Sequence, residues 1–311
     1  MRRLNRYFIC AAWLAGTLPP ATALAVTLGS STSVGKSTFT EDVAIDGAFG
    51  PEEQWDWAVD FSDTRSVDRS QVTTDSQPVV DETKDLRGSI AWSEEPWGVS
   101  LDLDTAKTPQ EKLTNNGAIF GLAFKDRHAA DGESGFRSYW SAKISLGGST
   151  YTQAFSGMAK TRLNRTRPVS GQNVIHQRSV KLDYKWRPVK SWSVKLSLTG
   201  YSYDKDPAKF QAFLDSRAGV GRGMSGFSNT VGGLPSSTAA LGLTWYFLED
   251  WDLNLSHSRS IMAADRSESK VTRAQIEADL SERWHLSLGG EYDVSSATND
   301  SLLLVGVDYT F

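Results

Sequence analysis

The residues that could carry out catalysis are few, and their spacing offers little for chemistry. Asp102 and Asp104 stand two positions apart, like paired carboxylates that activate a water molecule between them. His257 lies in the run Ser256–Ser258, where a serine nucleophile beside a histidine base could attack an ester. The remaining histidines are scattered and show no zinc-type spacing: His128, His176 and His285. We therefore predict no catalytic residue, no metal site and no cofactor.

The local pattern around these residues is that of β-strands with one apolar face. From Trp55 to Ser62 the chain reads WDWAVDFS, so aromatic or aliphatic side chains alternate with polar or small ones. Period two places the two kinds on opposite faces of a strand, and it also turns the serines beside His257 away from it. Similar alternation begins at Trp97, Ala118, Trp140, Val180, Trp192, Ala239, Trp251, Ala274, Trp284 and Leu303. The sequence predicts an all-β protein.

The N-terminus has the pattern of a secretory signal peptide. Three arginines in the first six positions precede the apolar stretch Tyr7–Leu18, and Ala23–Ala25 fits a small-x-small cleavage site. We predict a signal peptide at residues 1–25 and a single domain at residues 26–311. The single cysteine, Cys10, lies in the signal, so the mature chain can form no disulfide. Removing three arginines and no acid lowers the formal charge from −4 by three, to −7, which argues against nucleic acid as a partner.

The connections between the predicted strands alternate between short and long. Short turns lie at 50–54, 93–96, 187–191, 248–250 and 281–283, and longer links at 66–84, 105–116, 153–177, 204–236 and 260–270. The link 126–136 is an exception, a long connection on the short-turn side. Thirteen strands fit between 38 and 311, and 26–34 supplies a fourteenth that makes the count even. A count of twelve follows if 26–34 and 38–49 lie outside the wall.

The chain from residue 26 onward resembles a Gram-negative outer-membrane β-barrel. Its end matches the terminal signature of that family, with Phe311 last, Tyr309 two before it and apolar residues at alternate positions upstream. The resemblance implies a transmembrane antiparallel up-and-down β-barrel in the cell outer membrane, with the short turns in the periplasm. It also implies contact with outer-membrane lipids and lipopolysaccharide, and recognition of Tyr309 and Phe311 by the barrel-assembly machinery.

Large aromatic residues beside the short turns fit a membrane interface better than a soluble core. We predict that one girdle of them marks the inner headgroup boundary: Phe49, Trp55, Trp92, Trp97, Trp186, Trp192, Phe247, Trp251 and Trp284. Aligning these aromatics across their turns also predicts which charged residues pair on the other face. Trp92 opposite Trp97 predicts the pair Arg87–Asp102, and Trp186 opposite Trp192 predicts Asp183–Lys195. Leu280 opposite Trp284 predicts Asp279–His285 and Arg273–Glu291. Phe247 is predicted to lie opposite Trp251.

The polar face then becomes the wall of the lumen. Its predicted pore-lining residues are Arg87, Asp102, Asp104, Lys143, Lys181, Asp183, Lys185, Lys195, Arg273, Glu277, Asp279 and Glu291. Such a face cannot be buried dry, because an unpaired charge in a low-dielectric interior costs several kcal/mol. A fourteen-stranded wall is wide enough to hold water. We predict a porin-like channel for passive diffusion of small hydrophilic solutes or ions, in which Lys181, Lys185 and Lys195 form a basic strip that faces acidic strips.

Several other functions fit parts of the pattern. The charges could form ladders that close the lumen, or the barrel could be a sleeve or export channel around a polysaccharide or protein partner. Lipid hydrolysis would need a serine two positions from His257 on the lipid-facing side, where Arg259 stands. An omptin-type protease would use Asp102 and Asp104 but needs an Asp–His couple at the outer mouth. A soluble β-sandwich would turn its apolar faces inward, and the long 204–236 link could fold over the mouth.

Overall fold

The computed structural model describes residues 26–35, 38–50, 54–72, 78–109, 113–128, 136–160, 166–208, 234–295 and 299–311. The predicted signal peptide and the glycine-rich centre of the 204–236 link lie outside these ranges. The strands are β1 (Val26–Val34), β2 (Thr38–Phe49), β3 (Trp55–Val72), β4 (Pro78–Glu94), β5 (Trp97–Thr108), β6 (Leu113–Arg127), β7 (Tyr139–Lys160), β8 (Thr166–Val189), β9 (Trp192–Tyr203), β10 (Pro235–Leu248), β11 (Trp251–Met262), β12 (Glu268–Asp279), β13 (Trp284–Ser295) and β14 (Asn299–Thr310). Within these ranges no helix is long and apolar enough to cross a membrane.

The fourteen strands form one closed antiparallel barrel in which each strand pairs with its neighbours in sequence. The ring closes between β1 and β14, where Thr27 lies opposite Thr310 and Val34 opposite Leu303. The backbone N–H of Phe311 donates to the carbonyl of Val26 at 3.0 Å, which extends this seam to its end. The predicted fold class and the count of fourteen are confirmed. The twelve-strand alternative is wrong, because β1 and β2 are both part of the wall.

The outer surface of the barrel is an apolar belt. Outward side chains remain widely exposed, among them Leu103 at 52%, Phe120 at 53% and Leu146 at 58%. A continuous apolar surface of this extent is stable in hydrocarbon and would aggregate in water. The belt ends toward the long-loop side where charged residues take over the outward positions, as Asp63 and Lys84 do beyond Phe61 and Leu86. The outward-facing apolar belt excludes a soluble β-sandwich, whose apolar faces would point inward.

Aromatic residues cluster at the short-turn end of the belt. The rings of Phe49 and Trp55 stack with centroids 5.9 Å apart. Trp192 and Trp245 stack at 5.4 Å with an angle of 5° between their planes. Further contacts at this end link Trp97 to Phe124, Phe124 to Trp140, Trp284 to Tyr309 and Tyr309 to Phe311. Each contact joins neighbouring strands or strand ends, and most of them extend the predicted girdle by further aromatics, namely Phe124, Trp140, Trp245, Tyr309 and Phe311.

Two of the predicted cross-strand alignments are wrong by two residues. Trp92 lies opposite Val99 rather than Trp97, so that Arg87 faces Asp104 and Ser89 faces Asp102. The cause is the turn: β4 continues to Glu94 and β5 begins at Trp97, which leaves a two-residue connection where the sequence suggested four. Two-residue loops are the commonest hairpin connections. A shift of two keeps every side chain on its face, since the strand period is two.

The β8–β9 hairpin shows the same two-residue shift, which changes the residues that lie opposite Lys185 and Lys195. Val189 lies opposite Trp192, and an irregularity between Trp186 and Val189 places Trp186 opposite Val194. The predicted pair Asp183–Lys195 is therefore wrong, and Lys195 lies directly opposite Lys185. A bulge absorbs the additional residue near the turn, as bulges at hairpin ends do.

The other two predicted alignments, of β12 with β13 and of β10 with β11, agree with the structure over most of their length. In β12–β13, Asp279 lies opposite His285 and Arg273 opposite Glu291, which confirms both predicted pairs. In β10–β11, Trp245 lies opposite Leu253 as expected, but a bulge between Tyr246 and Leu248 brings Leu248 opposite Trp251. Phe247 falls inside that bulge. The predicted face-to-face pair of Phe247 and Trp251 is therefore wrong.

One inward glycine holds two strands at close distance. A Cβ atom at Gly289 would lie 2.5 Å from the carbonyl oxygen of Ala274 and 2.9 Å from the Cα of Gln275, both backbone atoms. We expect Gly289→Ala to lower the free energy of unfolding by about 1–3 kcal/mol, because the β12–β13 backbone must move to make room. Gly88→Ala is the matched control, since a Cβ there meets nothing within 4 Å. Denaturant titration of both refolded variants checks this, and equal stability would contradict it.

The hairpin of β7 and β8 extends well past the rest of the wall. The pairing of β6 with β7 stops at Leu113 opposite Gln153, and that of β9 with β8 stops at Gln177 opposite Tyr203. Beyond those positions β7 and β8 pair only with each other, up to Lys160 opposite Thr166. We call the part in which both strands lack a second neighbour, 154–160 with 166–172, the ribbon. It stands on the long-loop side of the barrel.

Candidate functional site: the lumen

All the residues predicted to line the pore lie on the face opposite the apolar belt. Their strands alternate exposed apolar side chains with polar ones of lower exposure, as in Leu101-Asp102-Leu103-Asp104. In a closed barrel the second face can only be the lumen. The residues so placed are Arg87, Asp102, Asp104, Lys143, Lys181, Asp183, Lys185, Lys195, Arg273, Glu277, Asp279 and Glu291.

Carboxylates line one half of this lumen, which we call the acidic wall. It consists of Asp42, Asp46, Asp56, Asp60, Asp252, Glu277, Asp279 and Asp308, on β2, β3, β11, β12 and β14. The groups lie close enough to repel one another: Asp46 interacts with Asp56, Asp60 and Asp308. Like charges placed together in this way remain ionised only where water or cations screen them.

Lysines line the opposite half, where the structure extends the predicted basic strip by Lys125 and Lys143. Its members are Lys125, Lys143, Lys181, Lys185 and Lys195, on β6 to β9. β7 lies seven strands from β14 in either direction round the ring, so the strip faces the acidic wall across the lumen. Asp183 lies within the strip and binds Lys181 at 3.0 Å. The two halves together impose an electric field across the channel axis.

A cavity of about 430 Å³ lies against the acidic side of the lumen. Strands β1 to β4 and β12 to β14 all contribute to its lining, which is rich in hydroxyl and carboxylate groups. The lining residues that offer polar groups include Ser31, Ser62, Ser287, Asp42, Asp60 and Asp308, together with Arg87 and Arg273. Its size and its many hydrogen-bonding groups suit water and small hydrophilic solutes.

Ion pairs fix some of these charges along their own strands. Arg87 binds Asp85 through two nitrogens, Nη2 at 2.6 Å and Nε at 3.0 Å from the same oxygen. The other oxygen of Asp85 is buried and has no protein hydrogen-bond donor, as is the case for one oxygen each of Asp183 and Asp293. Buried carboxylate oxygens are almost always hydrogen-bonded. A hydrated lumen would supply the missing donors.

An apolar cluster covers the lumenal face of β6 to β9 at the long-loop end. Leu113, Tyr151, Ile175 and Leu234 pack together, and Tyr203 packs against them. The Tyr203 hydroxyl accepts from Gln177 at 2.7 Å and donates to the carbonyl of Pro235 at 2.6 Å. Sequence reasoning missed this cluster, because its members come from five separate segments and lie where polar residues were expected.

The residues weighed for catalysis have other partners. His257 Nδ1 lies 2.9 Å from the Thr272 hydroxyl on the outward face, away from both neighbouring serines. Asp104 accepts from the Asn115 amide at 3.3 Å. His285 Nδ1 lies 2.7 Å from Asp279, at the short-turn end. Within the described ranges, no group of three or more His, Cys, Asp and Glu side chains is arranged to hold a metal ion.

Asp265 is a carboxylate outside the belt whose pKa is shifted. Asp265 lies in the turn between β11 and β12, and the Ser267 backbone N–H donates to its Oδ1 at 2.9 Å. Hydrogen bonds from Ser267 stabilise the ionised form and lower the pKa of Asp265 below its ordinary value. The same hydrogen bonds stabilise the turn, and Asp265 does not line the lumen.

No protein-family model matches the chain, and no curated protein matches it in sequence. Solved structures with a similar fold include a KdgM porin in complex with disordered oligogalacturonate, at 8% identity and a TM-score of 0.42, covering 92% of this chain and 99% of that one. The CymD monoaromatic hydrocarbon channel is similar at 11% identity and 0.48, covering 92% and 87%. A Pseudomonas aeruginosa FadL homologue is similar at 7% identity and 0.45, covering 92% and 89%.

These similarities concern the fold alone, and they assign no solute to this chain. The fold itself is that of an outer-membrane β-barrel. Its own features carry that statement: a closed ring of fourteen antiparallel strands, an exposed apolar belt and a charged lumen.

Proposed function

We propose that the protein is a porin-like channel of the outer membrane, through which small hydrophilic solutes or ions diffuse passively. The observation that carries the proposal is the pair of oppositely charged walls facing one another across the lumen. Charges of this number are stable only in water, and a hydrated lumen that spans the belt is a conducting path. The proposal includes no catalytic step and no cofactor.

The proposed orientation follows from the two ends of the barrel. Short turns of outer-membrane barrels lie in the periplasm, which places the aromatic end there and the ribbon outside the cell. The apolar belt would contact outer-membrane lipids, and outward charges beyond it, such as Arg259 and Lys270, would meet lipopolysaccharide. Tyr309 and Phe311 at the end of β14 would be read by the barrel-assembly machinery.

Single-channel recording tests the proposal directly. The purified barrel, added to a planar bilayer in KCl, should produce discrete conductance steps, because the hydrated lumen connects the two sides. A boiled sample serves as the control for detergent leakage. If the correctly folded barrel inserts and conducts no ions, the open-channel proposal is wrong. The alternative hypothesis from the sequence, a sleeve around a partner chain, would then be preferred.

A further inference from the structure

The basic strip contains a row of lysines that the sequence alone did not predict. Lys125 lies opposite Ser141, Ser141 opposite Lys185, and Lys185 opposite Lys195, so that three ammonium groups occupy one ladder across β6 to β9. Lys185 and Lys195 are direct cross-strand neighbours. Like charges placed opposite one another destabilise a sheet. A row of this kind therefore needs something that offsets the repulsion.

Carboxylates of the protein do so only in part. Lys125 binds Glu95 at 3.1 Å and Lys181 binds Asp183 at 3.0 Å. Among the described residues no carboxylate oxygen lies within 4 Å of the ammonium groups of Lys143, Lys185 or Lys195. Asp183 lies opposite Lys143 in the β7–β8 ladder but pairs with Lys181, and the carboxylates of the acidic wall lie on other strands. These three lysines therefore keep their charge available to a solute.

A second pair of opposed lysines shows the contrast. Lys84 and Lys107 also face one another across β4 and β5, on the outer surface beyond the belt. Lys84 has Glu82 at 3.5 Å, and the solvent there screens both charges. The pair in the lumen lacks such a carboxylate.

Aromatic rings lie beside the row. The Tyr139 ring has Lys125 Nζ 5.2 Å and Lys185 Nζ 5.9 Å from its centroid. The Arg187 guanidinium lies 3.9 Å from the centroid of Tyr246 on the far side of β9. Ring faces held by cations at fixed positions can stack a flat or ring-shaped solute while the cations bind its charge.

The wall around the row is built from small residues, which leaves room for a solute. Gly242 lies opposite Lys195, and Ser141 separates Lys125 from Lys185. Lys143 extends across Gly121, where an added Cβ would lie 2.3 Å from its Cε. Glycine at 121 therefore lets the Lys143 side chain lie close to the wall of β6.

From these features we propose that Lys185 and Lys195, with Lys143 beside them and the rings of Tyr139 and Tyr246, form a binding site for organic anions that carry a carboxylate or phosphate on a ring-shaped body. The inference rests on the proposed channel, because solutes must enter the lumen to reach the site. The acidic wall strengthens the selection: its field drives an anion toward the strip and holds cations on the other side. A neutral ring gains only the stacking contribution.

Isothermal titration calorimetry on the detergent-solubilised barrel tests the site without requiring ion flow. The probes are D-glucuronate, D-glucose 6-phosphate and D-glucose. Both acids should bind the unaltered protein and glucose should not, while the ratio of the two acids identifies which anionic group the site favours. Lys185→Gln with Lys195→Gln should weaken acid binding by about tenfold or more, since both ammonium groups that contact the anionic group are lost.

The matched control is Lys84→Gln with Lys107→Gln, which removes two opposed lysines from the outer surface and should leave binding unchanged. Equal affinity for glucuronate, glucose 6-phosphate and glucose would overturn the inference, as would equal loss in the two double variants. The result is separable from that of the bilayer experiment. Conductance without anion binding would support the channel and contradict the site. Anion binding without conductance would support the site and contradict the open channel.

Discussion

Leu182→Arg should lower the free energy of unfolding of the barrel in lipid by about 2–4 kcal/mol. Leu182 lies on the outward face of β8 between Ile144 and Leu198, and its side chain remains 48% exposed. The belt continues on both sides of it along the strand, from Val180 to Tyr184. An arginine at this depth cannot reach water without distorting the protein or the bilayer, which gives the substitution its cost.

The control for this prediction is an arginine on the other face of the same hairpin. Ser197 lies opposite Asp183 on the lumenal side, so that Ser197→Arg places its charge in water beside a carboxylate. We expect a change of less than about 1 kcal/mol there. Guanidinium titration of both variants refolded into lipid vesicles measures the difference. Equal stability of the two would mean that the β8 outer face is not in contact with hydrocarbon.

Reversing the two opposed lysines of the basic strip should change the ion selectivity of the channel. The unaltered lumen has more carboxylates than cations, so we expect a mild preference for K⁺ over Cl⁻. Lys185→Glu with Lys195→Glu replaces two positive charges by two negative ones at one point of the wall. A unit charge 4 Å from an ion in water changes its energy by about 1 kcal/mol, so the K⁺/Cl⁻ permeability ratio should rise several-fold.

Reversal potentials in a KCl gradient measure this ratio, and the acidic wall provides a counterpart of opposite sign. Asp56→Asn with Asp308→Asn removes two carboxylates that both interact with Asp46 and should lower the ratio. Both effects should be larger near 0.1 M salt than near 1 M, where the screening length falls from about 10 Å to about 3 Å. If both double variants move the ratio in one direction, the division of the lumen into two charged halves is wrong.

Much of the fold could be predicted because alternation along a strand is insensitive to register. The stretch WDWAVDFS already separates the outward Trp55, Trp57, Val59 and Phe61 from the inward aspartates. Errors of two residues at Trp92 and Trp186 left every side chain on the face assigned to it. Period-two patterning therefore fixed the two surfaces of the barrel while leaving the partners across each hairpin open.

The partners themselves depend on turn length and bulges, which the alternation does not encode. The sequence placed Asp183 opposite Lys195, a favourable ion pair, whereas the irregularity near Val189 brings Lys185 there instead. An assumption that charges pair favourably thus concealed this like-charged pair. The apolar cluster around Ile175 was missed for a related reason, since it forms only when five distant segments meet on a polar face.

The ribbon has a mechanical consequence for the mouth of the barrel. Every strand in the ring is held by two ladders of hydrogen bonds, and opening one strand means breaking both. The ribbon's two strands have a single ladder between them, so it can fray rung by rung from the tip while the ring remains intact. Rigidity and compliance are thus divided within one hairpin, whose base is part of the closed wall and whose end can open without breaking the ring.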